Sequence, residues 1–148
     1  MTRILGLAAA IITSLALSAC GMAQSASAPE AKSSSSVTHS VEGLETASGT
    51  FEGASGHVTS GTASIFRVDG QWVVSLGSDF SFDGAPDPHV ALGHNGYRAD
   101  ATLGKLASNH GAQAYTIPAN LDVADFNEVW IWCEQFSVPL GSAKLTLL

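Results

Sequence analysis

The stretch Thr62-Ala63-Ser64-Ile65-Phe66-Arg67-Val68-Asp69-Gly70-Gln71-Trp72-Val73-Val74-Ser75-Leu76 decides the fold class. Two β-prone runs, His57–Val68 and Trp72–Leu76, flank an Asp-Gly pair. Asp-Gly between such runs predicts a tight hairpin, because both turn residues tolerate a positive φ. Working outward, Asp79-Phe80-Ser81-Phe82-Asp83 alternates and puts both Phe side chains on one face. Gly84–Pro88, with Pro86 and Pro88, predicts a loop because proline blocks strand pairing, and His89–Leu92 predicts a short strand ended by Gly93. Ala114–Ile117 predicts another strand, stopped by Pro118. Val129-Trp130-Ile131-Trp132-Cys133 is the most β-prone run, its odd positions facing one way and its two Trp the other. Ala143–Leu148 predicts a closing strand, and Val123–Asn127 has room for one helical turn. No long window carries a helical stripe. The sum is an all-β domain, an antiparallel sandwich or barrel-like sheet.

The rest of the chain is organised differently. Met1-Thr2-Arg3 precedes an uncharged, largely apolar run, Ile4–Leu17, and then Leu17-Ser18-Ala19-Cys20. A basic start and an apolar core ending in small residues predict a secretory signal. The run falls short of the roughly 20 residues of a bilayer span. The Leu-Ser-Ala-Cys ending resembles the bacterial lipobox, which makes 1–19 a lipoprotein signal peptide and Cys20 the acylated first residue of the mature chain. Acyl chains on Cys20 would hold the protein at a membrane through methylene burial. Gly21, where an Asp would favour inner-membrane retention, places the expectation at the periplasmic face of the outer membrane. Residues 20–47 are rich in Ser and Ala and hold no aromatic. Such a segment buries too little to offset its ordering entropy and predicts a flexible tether that includes His39. Every aromatic lies between Phe51 and Phe136, so 48–148 is the expected domain, long enough for one core.

Charge narrows the partners. The 148 residues carry 6 Lys+Arg against 13 Asp+Glu, a formal net charge of −7. That balance argues against nucleic acid and anionic lipid, which need clustered Lys and Arg. Of the two cysteines, acylation of Cys20 would leave Cys133 as one unpaired thiol in an oxidising compartment.

The candidates for chemistry follow. Cys133 reads either as a small buried hydrophobe or as a redox thiol, and also as a soft ligand to haem or copper. The domain histidines are His57, His89, His94 and His110, and their spacing matches no zinc motif. Metal binding is therefore not expected from the spacing. His57 opens a strand and is the candidate proton or hydrogen-bond donor to the thiol. Asp79, Asp83 and Asp87 recur at intervals of four but lack a calcium loop's closing Glu. They read as loop staples that accept backbone N–H bonds. Asp83, Asp87, His89 and Trp132 are the candidate binding residues. Gly-x-Ser-x-Gly, His-Glu-x-x-His and phosphate-cradling glycine patterns are missing from the sequence.

Five segments carry a family resemblance: Gly56–Gly61, Asp79–Asp87, Val90–Gly93, Tyr115–Pro118 and Val129–Gly141. Their order and spacing resemble the DM-thirteen domain, over about 50–148. The Asp-Phe…Asp-Gly-x-x-Pro-Asp and Trp-Cys-x-x-Phe-Ser-Val runs are specific together. The resemblance implies a β-rich extracytoplasmic domain whose characteristic cysteine matches Cys133. It also implies electron transfer, because the family accompanies haem-binding and b-type cytochrome domains in larger proteins. Here a redox or cytochrome partner would be a separate protein. Leu140 departs from the pattern, where an aromatic is expected before Gly141. Two readings result: a redox module working through Cys133, or a non-enzymatic ligand- or protein-binding β domain with Cys133 in its core. Exposure of the thiol separates them.

Overall fold

The computed structural model describes residues 43–148. The expected signal peptide, Cys20 and the expected tether up to residue 42 lie outside them. The described chain is all-β and antiparallel, a nearly closed barrel-like sheet. Its strands are β1 (Leu44–Gly53), β2 (Thr59–Ser60), β3 (Thr62–Val68), β4 (Gln71–Leu76), β5 (Ser81–Phe82), β6 (Pro88–Gly93), β7 (Tyr97–Lys105), β8 (Gln113–Thr116), β9 (Glu128–Cys133), β10 (Val138–Lys144) and β11 (Thr146–Leu147). The main sheet runs β7-β6-β9-β10-β1-β3-β4-β8, with β11 added to β1. β2 and β5 form a separate two-stranded ribbon. A single 3-10 turn, Val123–Asp125, is capped by the Asp122 side chain, which accepts from the Ala124 N–H.

The hairpin signal is realised. Val68 pairs with Gln71, and Asp69 and Gly70 both take positive φ, 49° and 82°. This pair of values matches the right-handed twist of the flanking strands. The run expected as one strand from His57 to Val68 is broken at Gly61, whose φ is 100°. A Cβ there would meet the Phe80 backbone at 2.5 Å, so the chain crosses over β5's approach at that point. The loop expected over Gly84–Pro88 is one residue shorter, because β6 begins at Pro88, and the first residue of a strand tolerates a proline.

Three elements differ from the sequence expectation. β1 begins at Leu44, inside the segment expected to be tether up to residue 47. Its small and polar residues give little β signal, and it is a strand because β3 and β10 flank it. Gly49 lets β1 and β10 come close, since a Cβ there would collide with the Lys144 carbonyl oxygen. β7 has Arg98, Asp100 and Lys105 in place of β-branched residues. It is an edge strand of the main sheet, where charges are tolerated and discourage stray pairing. The expected closing strand Ala143–Leu148 is two pieces: β10 runs through Pro139 and ends at Lys144, before β11. The register shifts between Pro139 and Gly141, as a proline inside a sheet requires.

The core fills the barrel. Ile65, Leu76, Leu92, Ile131 and Leu140 are fully buried, with Phe80 edge-on to Phe51 at 5.4 Å. Along β9 the alternation holds: Val129, Ile131 and Cys133 point inward, and Trp130 and Trp132 are half-buried on the other side. Ile131→Ala leaves a cavity on a strand held by neighbours on both sides. It should cost about 2–5 kcal/mol, read as a lower urea midpoint at unchanged slope.

Candidate functional site

The sequence-predicted residues fall into two places. His57 and Asp83 meet on the β2–β5 ribbon, Nδ1 to Oδ1 at 2.9 Å. Asp83 Oδ2 also accepts the Val58 N–H at 3.0 Å. That backbone bond and the His57 contact hold the Asp83 carboxyl below its ordinary range. Asp79 does the same work one turn away, accepting the Thr62 N–H at 3.1 Å and the Thr62 hydroxyl at 2.9 Å. Partial burial pushes the Asp79 carboxyl up, and the Thr62 bonds outweigh it, so the net shift is downward. Asp79 and Asp83 are thus staples of the ribbon. Among the described residues, no three His, Cys, Asp or Glu side chains converge as a metal site would require.

Asp87, His89 and Trp132 come together at the other place, on the outer face of β6 and β9. His89 and Trp132 are direct cross-strand partners, and Lys105 of β7 lies opposite His89. Lys105 Nζ reaches Asp87 Oδ1 at 2.9 Å. That contact holds the Asp87 carboxyl below its usual range. The His89 Nδ1 lies 3.3 Å from the Asp87 carbonyl oxygen.

An aromatic layer covers this face. The Tyr97 ring stacks on Trp132 with centroids 4.0 Å apart and planes 3° from parallel. The Tyr97 hydroxyl donates to Glu134 Oε1 at 2.8 Å and lies 3.2 Å from Thr102 Oγ1. Partial burial and Glu134 raise the Tyr97 hydroxyl above its ordinary range, against the Thr102 contact. The Trp130 indole N–H donates to Glu128 Oε2 at 3.0 Å, and the same oxygen accepts the Gly96 N–H at 2.7 Å. Gly93 makes this possible, since a Cβ there would occupy the space of the Trp130 indole nitrogen. Ala91, between Trp130 and Thr102 in register, is fully buried yet belongs to this layer rather than to the core cluster.

Cys133 faces the other way. It is 1% exposed and part of the core cluster. His57, expected as its proton partner, is committed instead to Asp83 and packs on Phe82 at 5.8 Å between centroids. A thiol enclosed in apolar side chains cannot meet a partner's disulfide without opening the fold. Haem or copper would also need the sulfur at an open position, and Cys133 is 1% exposed.

The matching family model is Electron transfer DM13, over residues 50–145. The chain belongs to the Electron transfer DM13 family. Neither the curated proteins nor the solved structures give a match. In this DM13 domain Cys133 is a core position, and the aromatic layer lies on the reverse of the same strand.

Sequence reasoning missed Tyr97, Glu128 and Lys105. Tyr97 stands before Arg98 in a run without β character, and only the irregular pairing of β6 with β7 brings it over Trp132. Trp130, Trp132 and Glu134 were visible as a run, but their partners were not.

Two outcomes follow. Alkylation of Cys133 should be negligible in the folded protein and complete in denaturant, and fast labelling under native conditions would place the thiol at the surface. The ribbon's two carboxylates are lowered on folding, so their stabilisation is present above the unfolded carboxylate value of about 3.9 and is lost as pH falls through the folded one. The stability gap between the protein and its Asp79→Asn variant should be largest near neutral pH and shrink in acid. A gap in urea midpoint that is the same at every pH would remove this linkage.

Proposed function

We propose that this chain is an extracytoplasmic lipoprotein, anchored through Cys20 at the periplasmic face of the outer membrane, whose DM13 domain exchanges single electrons with a separate redox protein of the cytochrome kind. The exchange surface is the outer face of β9. The observation that carries this is the parallel Tyr97–Trp132 stack with Glu134 at the phenol hydroxyl. Family membership supports the electron-transfer part, and the lipobox-like Leu17–Cys20 supports the anchor.

The chemistry is balanced within the site. A high-valent haem iron in the partner takes one electron from the stacked rings and is itself reduced by one electron. The Tyr97 hydroxyl proton passes along its 2.8 Å hydrogen bond to the Glu134 carboxylate, leaving a neutral phenoxyl radical beside a carboxylic acid. A one-electron reductant returns the electron, and the proton goes back to oxygen. A proton acceptor already in contact spares the phenol from becoming a cation. Trp132, half-buried, joins Tyr97 to solvent and to a docked partner. His89 and Lys105 frame the same face. Cys133 packs behind it and fixes the seat of the strand.

One observation favours the second reading, a non-enzymatic ligand- or protein-binding domain: the burial of Cys133. Oxidation by a photogenerated ruthenium(III) complex separates the two. A tyrosyl radical should form in the unmodified protein. Tyr97→Phe should leave a longer-lived indole radical, and Glu134→Gln should slow tyrosyl formation by on the order of 10²-fold. Cys133→Ser should change neither. If Tyr97→Phe and Trp132→Phe leave the radical's yield and lifetime as they were, the stack is packing and the binding reading replaces this one.

A further inference from the structure

A cavity of about 430 Å³ opens at the end of the barrel where β1 begins. Ala47, Ile65, Trp72, Val123, Phe126 and Leu145 form its apolar wall. Its volume lies within the range of small-molecule sites. The polar side chains at its edge already make bonds within the protein. Thr46 Oγ1 donates to the Ile65 carbonyl at 3.2 Å, Asp122 Oδ1 accepts the Ala124 N–H at 3.0 Å, and Asn127 Oδ1 accepts the Asn95 N–H at 3.3 Å. An occupant meets a mainly apolar wall here, with its few polar side chains at the edge. A charged or strongly polar group would lose its hydration against that wall.

The rim is apolar as well. Leu44 is 70% exposed, Leu147 85% and Leu148 75%. They cluster because β11 pairs with β1 through Ala47–Leu147, and the Leu148 N–H donates to the Thr46 carbonyl. Exposed large apolar side chains gathered round an apolar opening mark an interaction surface.

The chain itself indicates what covers this surface. Residues 1–42 join the barrel at Gly43, immediately before Leu44, so the segment leading back to Cys20 enters at this rim. Charge indicates the kind of surface: a chain of net charge −7 is repelled by anionic headgroups and not by zwitterionic ones. We propose that the Leu44–Leu147–Leu148 rim docks on a zwitterionic phospholipid bilayer and that the cavity behind it takes one acyl chain. This rests on the membrane-anchored reading above. Attachment at Cys20 would hold the rim near the bilayer, and the rim would orient the domain on it.

The test uses the chain from Cys20 onward carrying Cys20→Ser, so that no attached lipid contributes. Phosphatidylcholine vesicles should pellet it, and Leu147→Glu should reduce the partition at least tenfold. Chain-brominated phosphatidylcholine should quench indole emission in this protein and lose most of that quenching in Trp72→Phe. Ala124→Phe, at an exposed position on the cavity's edge, should reduce the quenching while circular dichroism stays unchanged. No pelleting, pelleting indifferent to Leu147→Glu, or pelleting with no quenching of Trp72 would each overturn the proposal. A dimer in solution that Leu147→Glu dissociates would give the rim to a second copy and overturn it too. Failure here leaves the anchor and the electron exchange standing, because the mass of Cys20 in the native protein and the ruthenium oxidation test those separately.

Discussion

The two-residue period of β9 is the constraint on which the rest depends. A strand between two neighbours must send alternate side chains to opposite faces. Val129, Ile131 and Cys133 therefore fill the barrel, and Trp130 and Trp132 stand outside it. A slip of one residue would exchange the sets, putting two indoles in the core and leaving aliphatic side chains in water. Pairing to β6 on one side and β10 on the other fixes the register over the whole strand. The same register that buries the cysteine builds the aromatic face.

The outer indoles are costly to place on a solvent face unless they are covered and their N–H groups paired. Two carboxylates offset that cost, one by pairing the Trp130 N–H and one by holding the ring that covers Trp132. Glu128 is 5% exposed and holds both the Trp130 N–H and the Gly96 N–H. Glu134 holds the Tyr97 hydroxyl, which locks that ring parallel to Trp132. Acidic residues that lower the chain's net charge thus act locally as fixed acceptors. The face is a rigid aromatic plate, framed by Lys105 and His89, rather than loose side chains.

Much of the fold was legible because strong local signals agreed with the tertiary outcome. Asp69-Gly70 required its hairpin, Phe80 and Phe82 shared their face, and β9 alternated as written. What stayed hidden was held by tertiary contact alone. β1 has the composition of a linker and becomes a strand through its neighbours, and β7 is a charged edge whose bulged pairing no spacing rule reveals. The site divides along the same line. Trp132, His89 and Asp87 were visible one by one, and register joined them, whereas Tyr97 had no motif to announce it. Local pattern could set which face Cys133 takes but not how completely the barrel closes over it.

Closure over Cys133 changes where the family's chemistry can reside. A surface thiol would bring reactivity and the hazard of oxidation in the same group. An aromatic pair with a fixed proton acceptor handles single electrons without a covalent bond to any partner. On the proposed anchoring, such a device must remain uncovered at the membrane surface. The length of β9 provides for this. Asn127, just before the strand, lines the apolar cavity, and Trp132 lies five residues on, roughly 16 Å at about 3.3 Å per residue. That separation exceeds the Debye length of about 8 Å at physiological salt. Exposed charges at the cavity end are therefore largely screened from the aromatic face, and one strand carries both of the proposed surfaces without either obstructing the other.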